Sequence, residues 1–210
     1  MKNDKTKVII DIGACIGEFI DYCLKQYIDI IVYAIEPFKP NYSHLLSKYQ
    51  SNDNVKVYEL AIANFEGVAK LYKKKSPEGK YDFVGNDGCS LVKKKSNVSF
   101  FNNEKVIVNR LSKFIKDQGL KEIEIVKLDV EGVEYEILND IMENNLFENI
   151  DKIYFEDHSR KVKGLYKKRK QFLKKIKFLG IEEKIFLQDI SNESHKYVPL
   201  RIAEKNSFWE

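Results

Sequence analysis

The chain has 210 residues, of which 43% are hydrophobic and 12% aromatic, so it is long enough for one hydrophobic core and is not a disordered protein. No apolar run reaches the ~18 residues that a membrane helix needs, and the polar N-terminus is not a secretory signal. The three cysteines form no C-x-x-C pair, which suits a reducing compartment. We therefore predict a single domain over residues 1–210 that is cytoplasmic and has no membrane span.

Apolar periodicity predicts strands that alternate with helices along the chain. In chain order, the predicted elements are strand 7–11, helix 17–27, strand 30–36, helix 40–49, strand 54–60, an irregular β-leaning region from residue 67 to 109, helix 111–118, strand 123–129, helix 132–145, strand 150–156, helix 165–179 and a terminal antiparallel pair at 181–187 and 197–202. The loop at 76–88 is a candidate lid. This order predicts an α/β fold with a mostly parallel sheet and helices on both faces.

The first strand ends in a glycine turn, Asp11-x-Gly13-x-x-x-Gly17, and the second strand ends in Glu36, which Pro37 follows. At a glycine turn a ligand can lie against bare backbone. A carboxylate at the tip of the second strand of such a unit is placed to accept hydrogen bonds from a ribose diol. Together these two features predict a site for a nucleoside cofactor.

The turn lacks the features of phosphate-binding loops. Cys15 stands where the dinucleotide fingerprint has its middle glycine, and no Lys-Ser/Thr pair follows to make a P-loop. The other acids expected at strand ends are Asp129, Glu131, Glu156 and Asp157. Because an acid-lined cleft repels phosphates but suits a sulfonium cation, the sequence predicts S-adenosylmethionine as the cofactor. The alternative is an α/β domain that merely has a glycine turn.

Methyl transfer from a sulfonium to a protonated acceptor needs a general base or a metal, because the protonated form is a poor nucleophile. Asp129 and Glu131 lie at the end of the fourth predicted strand, and His158 follows the fifth. These three are the candidate catalytic residues. We assign the base to His158, whose pKa range suits proton transfer near neutrality, with Asp129 as the alternative.

A metal ion is the alternative to direct base catalysis. Asp129, Glu156 and His158 could hold Mg²⁺ or Mn²⁺, since carboxylates combined with an imidazole suit both ions. We interpret the neighbouring Glu134 and Glu136 as structural, because acids near a helix N-terminus stabilise the helix.

The net charge of +4 conceals an uneven distribution, since residues 160–177 contain ten Lys or Arg residues and no acid. Leu165, Phe172, Ile176 and Leu179 recur there at helical spacing, so the basic side chains cover the other faces of a helix. A solvated surface is the favoured interpretation, and an anionic partner is the alternative. We expect weak, non-specific nucleic-acid binding through this segment.

The segment from Val126 to Glu134 has the pattern lysine-x-aspartate-x-glutamate-glycine-x-glutamate. This pattern and the order of motifs over residues 8–160 resemble the FkbM family of S-adenosylmethionine-dependent methyltransferases. Further segments that resemble the family are the glycine turn at 11–17, Ala34 to Pro37, Ala61 to Asn64, Cys89 to Leu91 and Phe155 to His158.

The resemblance implies a Rossmann-like class I methyltransferase fold and methyl transfer to a hydroxyl oxygen, usually of a sugar in a glycan or glycoconjugate. It implies cofactor contacts at Asp11, Gly13, Ala14, Cys15, Gly17, Glu36, Pro37, Ala61, Ile62, Ser90 and Asp129. Two alternatives stay open. One is 2′-O methylation of RNA, and the other is a partner subunit that binds the cofactor without catalysis, because the chain begins almost at its first strand.

Overall fold

The structure is a computed structural model that describes residues 6–188 and 197–200. The strands in these ranges are β1 (Lys7–Ile12), β2 (Ile30–Ile35), β3 (Val55–Tyr58), β4 (Ala61–Ala63), β5 (Gly67–Lys74), β6 (Val98–Arg110), β7 (Ile123–Leu128), β8 (Ile150–Phe155), β9 (Ile185–Gln188) and β10 (Tyr197–Pro199). The α-helices are α1 (Glu18–Gln26), α2 (Lys39–Tyr49), α3 (Leu111–Asp117), α4 (Glu134–Glu143) and α5 (Leu165–Leu179).

Seven strands form the main sheet in the order β10-β9-β8-β7-β1-β2-β3. All neighbours in it are parallel except β9 and β10, which pair antiparallel. This confirms the predicted Rossmann-like fold with a mostly parallel sheet and a terminal antiparallel pair. Residues 201–202 of the predicted last strand lie outside the described residues.

Helices cover both faces of this sheet, as predicted. Alternate residues of β1 and β7 point to opposite faces, so both faces of these central strands are buried. On one face Ile9 and Ile125 pack with Phe19 of α1 and Leu45 of α2. On the other face the core is built with the buried side chains of α3, α4 and α5.

The region from residue 67 to 109, which the sequence predicts to be irregular and β-leaning, contains most of a second sheet. Its three strands lie in the order β4-β6-β5, with β5 antiparallel and β4 parallel to β6. Val68 and Ile107 are paired across β5 and β6 and are exposed, while Leu71, Val106 and Val108 are buried. Because β5 and β6 bury few residues of their length, the apolar signal of these two strands in the sequence is weak.

Helix α5 confirms the predicted basic helix. Its buried residues, Leu165, Arg169, Phe172 and Ile176, follow each other at three- and four-residue intervals on one face. Among the described residues, no helix has the length and apolar content that crossing a bilayer requires.

The turn after β1 comes into direct contact with the end of β7. Gly13 has a φ of +81°, and a Cβ at this position would lie 1.8 Å from the carbonyl oxygen of Asp129. Any other residue here would therefore meet both a left-handed backbone and an overlap with another strand's backbone. Glycine at position 13 lets the turn and the segment after β7 come together.

We expect Gly13→Ala to lower the free energy of unfolding by roughly 3 kcal/mol or more, measured by urea denaturation. The matched control is Gly119→Ala, because Gly119 also has a positive φ of +64° but has no atom within 4 Å of the position that an alanine methyl would take. The control should lose only ~1–2 kcal/mol, the cost of the left-handed conformation. Equal losses in the two variants would contradict the collision with Asp129.

Candidate active site

The carboxyl ends of the central strands meet at one edge of the main sheet, and Glu36 follows β2 there. Its carboxylate accepts a hydrogen bond from the Cys15 N–H and another from the Phe38 N–H, both at 2.8 Å. The residue is 5% exposed, and burial raises the pKa of Glu36 to about 7. The turn after β1 and the start of α2 thus hold one carboxylate between them.

A pocket lies beside this carboxylate. Several of the residues predicted to contact the cofactor line this pocket, namely Gly13, Cys15, Glu36, Pro37, Ala61, Ile62 and Asp129. A neighbouring pocket is lined by Ala14 and Glu156 and shares Gly13, Cys15, Asp87 and Asp129 with the first. Asp129 therefore faces both pockets.

Three further residues were predicted as cofactor contacts but line neither pocket. They are Asp11, Gly17 and Ser90, and they support the segments that form the pocket walls. Gly17 precedes α1, and its carbonyl accepts a hydrogen bond from the Tyr49 hydroxyl at 2.9 Å. The Ser90 hydroxyl donates to the Glu131 carbonyl at 2.7 Å. These contacts fix the turn after β1 and the segment after β7.

Asp11 forms a buried ion pair with Lys127, its neighbour in register on β7. The Asp11 Oδ1 to Lys127 Nζ distance is 3.1 Å. The same ammonium donates to the Gly13 carbonyl at 3.3 Å and lies 3.7 Å from Asp129 Oδ2. Burial lowers the pKa of Lys127, but the charges of Asp11 and Asp129 outweigh it and raise the pKa above its usual value. The lysine is thus a fixed positive charge beneath the turn.

The candidate lid is tied to α2 by one amide side chain. Asn41 accepts a hydrogen bond from the Gly85 N–H at 2.8 Å and donates one to the Asn86 carbonyl at 3.1 Å. The Asn86 side chain in turn donates to the carbonyls of Lys74 and Tyr81, both at 2.9 Å. Since Asn86 lines the first pocket, these bonds hold the loop against it.

His158 is fully buried among three carboxylates. Its Nδ1 lies 2.7 Å from Glu134 Oε1, and its Nε2 lies 3.2 Å from both Glu131 Oε2 and Glu156 Oε1. Burial lowers the pKa of His158, but the three carboxylates outweigh it and raise the pKa to about 12. The imidazole is therefore held as a cation, which does not favour the role of base that the sequence predicts for it.

Asp129 differs from the other acids of this cluster in its pKa and in its contacts with His158. Burial raises its pKa to about 6, although Lys127 opposes the shift. By contrast the pKa of Glu156 falls to about 2, because its contact with His158 outweighs its burial. The Asp129 carboxylate is 29% exposed and makes no contact with His158 as short as those of its neighbours. Among these acids it is the one best placed to take a proton from a ligand.

The predicted metal ligands also come together. Asp129, Glu156 and His158 each offer one ligand atom, and these atoms lie within 4.8 Å of one another. Glu134 on the other imidazole nitrogen is a common arrangement behind a histidine that binds metal. The three side chains could hold a divalent ion if the imidazole lost its proton.

A family model described as the methyltransferase FkbM domain matches residues 11–183. The chain belongs to the FkbM methyltransferase family. The acid cluster and the two pockets are built almost entirely from residues inside the matched range, so they are the candidate active site of a methyltransferase. No curated protein and no solved structure matches the chain.

The structure adds Lys95 to the candidate site of this FkbM methyltransferase, a residue that no motif indicated. Its ammonium is fully buried, donates to the Gly88 carbonyl at 3.0 Å and forms an ion pair with Glu131. Glu131 has a φ of +59°, a left-handed conformation that costs a non-glycine residue about 1–2 kcal/mol. Lys95, Ser90 and His158 together hold Glu131 in it.

Replacing either partner of the buried Asp11–Lys127 pair should destabilise this methyltransferase strongly. We expect Lys127→Met to cost ~3–5 kcal/mol in urea denaturation, because it leaves the Asp11 charge buried and unpaired. The double variant Asp11→Asn with Lys127→Met should recover part of that loss. Strictly additive losses in the double-mutant cycle would show that the two charges do not support each other.

Proposed function

We propose that this protein transfers the methyl group of S-adenosylmethionine to a hydroxyl oxygen, that of a sugar in a glycan or glycoconjugate. The observation that carries the proposal is that Glu36 and Asp129 line the same pocket. A ribose diol needs an acceptor such as Glu36, and a sulfonium cation favours an acid such as Asp129. The sugar rests on the family resemblance, not on the pocket.

Each part of the pocket suits one part of such a cofactor. Glu36 would accept hydrogen bonds from the ribose, and the apolar side chains of Leu60, Ile62 and Leu71 would pack against a base. The left-handed turn at Gly13 leaves backbone uncovered where the two pockets join. The acceptor would then enter through the second pocket and meet the methyl group at Asp129.

When bound, S-adenosylmethionine supplies an electrophilic methyl group. The acceptor oxygen forms the new bond to the methyl carbon while the bond from carbon to sulfur breaks, and S-adenosylhomocysteine is left. Asp129 takes the proton of the hydroxyl, since its carboxylate faces both pockets. The protein contributes mainly by holding oxygen, carbon and sulfur in line, an effect worth up to ~7–11 kcal/mol.

We assign His158 and Glu131 as positioning residues in this mechanism. The imidazolium of His158 binds Glu131 and Glu156 at 3.2 Å each, so it keeps two acids charged beside Asp129. Their negative charge favours a sulfonium in the pocket. Glu134, interpreted from the sequence as structural, orients the imidazole from its other side.

The acceptor class is tested by incubating the protein with S-adenosylmethionine and either glycosides or RNA, and measuring S-adenosylhomocysteine. Product formed only with glycosides supports the proposal. Product formed only with RNA would replace it by 2′-O methylation of RNA, the alternative that the exposed lysines of α5 favour. Cofactor binding without product from either class would indicate the partner subunit that binds without catalysis.

We expect the affinity for S-adenosylmethionine to rise with pH through Glu36. Because the pKa of Glu36 is about 7, the side chain is protonated below that pH. It must then lose this proton before the carboxylate can accept both ribose hydrogen bonds. Calorimetry should therefore show roughly tenfold tighter binding at pH about 8 than at pH about 6.

Glu36→Gln should bind about ten- to a hundredfold more weakly at pH about 8 and lose the pH dependence. Glu59→Gln is the control, since Glu59 is a half-exposed acid that lines neither pocket. A Glu36→Gln variant with unchanged affinity would remove Glu36 from the cofactor site.

Asp129→Asn should lower kcat by ~10²–10⁴, because no carboxylate then takes the proton of the acceptor, and it should also weaken S-adenosylmethionine binding, because one acid that favours the sulfonium is lost. His158→Gln should lower kcat less than Asp129→Asn does. Asp87→Asn is the matched control, since Asp87 lines both pockets and is exposed.

Two results would overturn this division of roles. A larger loss of kcat in His158→Gln than in Asp129→Asn would return the base to His158. Activity that a chelator removes and Mg²⁺ or Mn²⁺ restores would assign Asp129, Glu156 and His158 to a metal.

A further inference from the structure

Helix α5 presents a face that points away from the rest of the protein. Its buried face holds Leu165, Phe172 and Ile176. On the opposite side of the helix, Lys167, Lys170, Lys174 and Phe178 follow each other at intervals of three and four residues, and all four are exposed. We call these four residues the lysine face.

The charge of the lysine face is not neutralised within the fold. Lys168, on the flank of the helix, forms an ion pair with Glu136 of α4. By contrast, no carboxylate in residues 6–188 or 197–200 pairs with Lys167, Lys170 or Lys174. The whole segment from 160 to 177 also lacks acids, so nothing within it offsets the field of this face.

Phe178 is the residue that distinguishes this face from an ordinary solvated lysine surface. It is 90% exposed and lies one helical turn after Lys174. Leu179 and Tyr166 of the same helix are also exposed large hydrophobic residues. At a membrane surface, an exposed phenylalanine beside lysines can place its ring at the acyl boundary while the ammonium groups stay at the headgroups.

We propose that the lysine face of α5 docks this protein on the surface of a phospholipid bilayer rich in anionic headgroups. The four residues lie along one side of a helix of 15 residues, so a flat surface can contact all of them at once. Each lysine near such a surface strengthens binding, and Phe178 adds an apolar contact that a phosphate backbone does not offer. This is why a bilayer is favoured over a nucleic acid.

The N-terminal end of α5 lies next to the candidate active site. Lys161, just before α5, lies 3.2 Å from Glu156 of the acid cluster. Val162 packs against the core and its backbone pairs with Lys95. The N-terminal end of the docked helix therefore adjoins the site, while Phe178 lies at the far end. The inference does not depend on the proposed function, because membrane docking is measured without methyl transfer.

The test is co-sedimentation of the full chain with vesicles of phosphatidylcholine alone and with vesicles that also contain phosphatidylserine. We expect binding to the anionic vesicles only, and its loss at high salt. Replacing Lys167, Lys170 and Lys174 together by Gln should weaken it on the order of a hundredfold, and Phe178→Ser should weaken it roughly tenfold.

Matched controls separate this face from net charge and general hydrophobicity. Replacing Lys70, Lys105 and Lys116 by Gln removes the same charge from exposed positions elsewhere, and Phe101→Ser removes a ring that is 87% exposed. Both controls should bind the vesicles like the unaltered protein. Equal loss in variant and control, or no binding to anionic vesicles, overturns the proposal. Binding to duplex RNA or DNA without binding to vesicles would assign the face to nucleic acid instead.

Discussion

The buried ion pair between Asp11 and Lys127 is the interaction on which the candidate site depends. It joins the two central strands near the level where both end, and the same ammonium reaches the Gly13 carbonyl and approaches Asp129. Separating two buried charges is costly, so the pair stays together. Through the further contacts of Lys127 it holds the loops that follow these strands at fixed positions. The close contact of Gly13 with Asp129 is possible because position 13 has no Cβ, and the ion pair joins the two strands that these residues follow.

The surroundings of the acids in the site give these acids different pKa values. His158 pairs with Glu131 and Glu156 and is oriented by Glu134, whereas Asp129 lines both pockets. One cluster therefore contains acids held permanently charged and one whose pKa lies near neutrality. Groups of like charge whose environments push their pKa values apart are a common basis for dividing catalytic roles.

The sequence predicted the parallel sheet and the meeting of Glu36, Gly13 and Asp129 well, because strand ends in an α/β sheet meet at one edge. It could not predict Lys95, which reaches Glu131 from a loop without periodicity or motif. Nor could it predict the state of His158, since that state depends on three carboxylates brought together by tertiary structure. The region of β5 and β6 was predicted only as β-leaning and irregular, because these strands bury only a few residues of their length.

Asn41 has a consequence for the kinetics of ligand exchange. Its side chain holds the loop at Gly85 and Asn86 against the pocket by two hydrogen bonds, so one movement of α2 or of the loop breaks both. Under the proposed function, a nucleoside cofactor that passed this loop would wait for that opening, so its association rate would lie below the diffusion limit. Release of the spent cofactor would then limit turnover separately from the proposed proton transfer at Asp129.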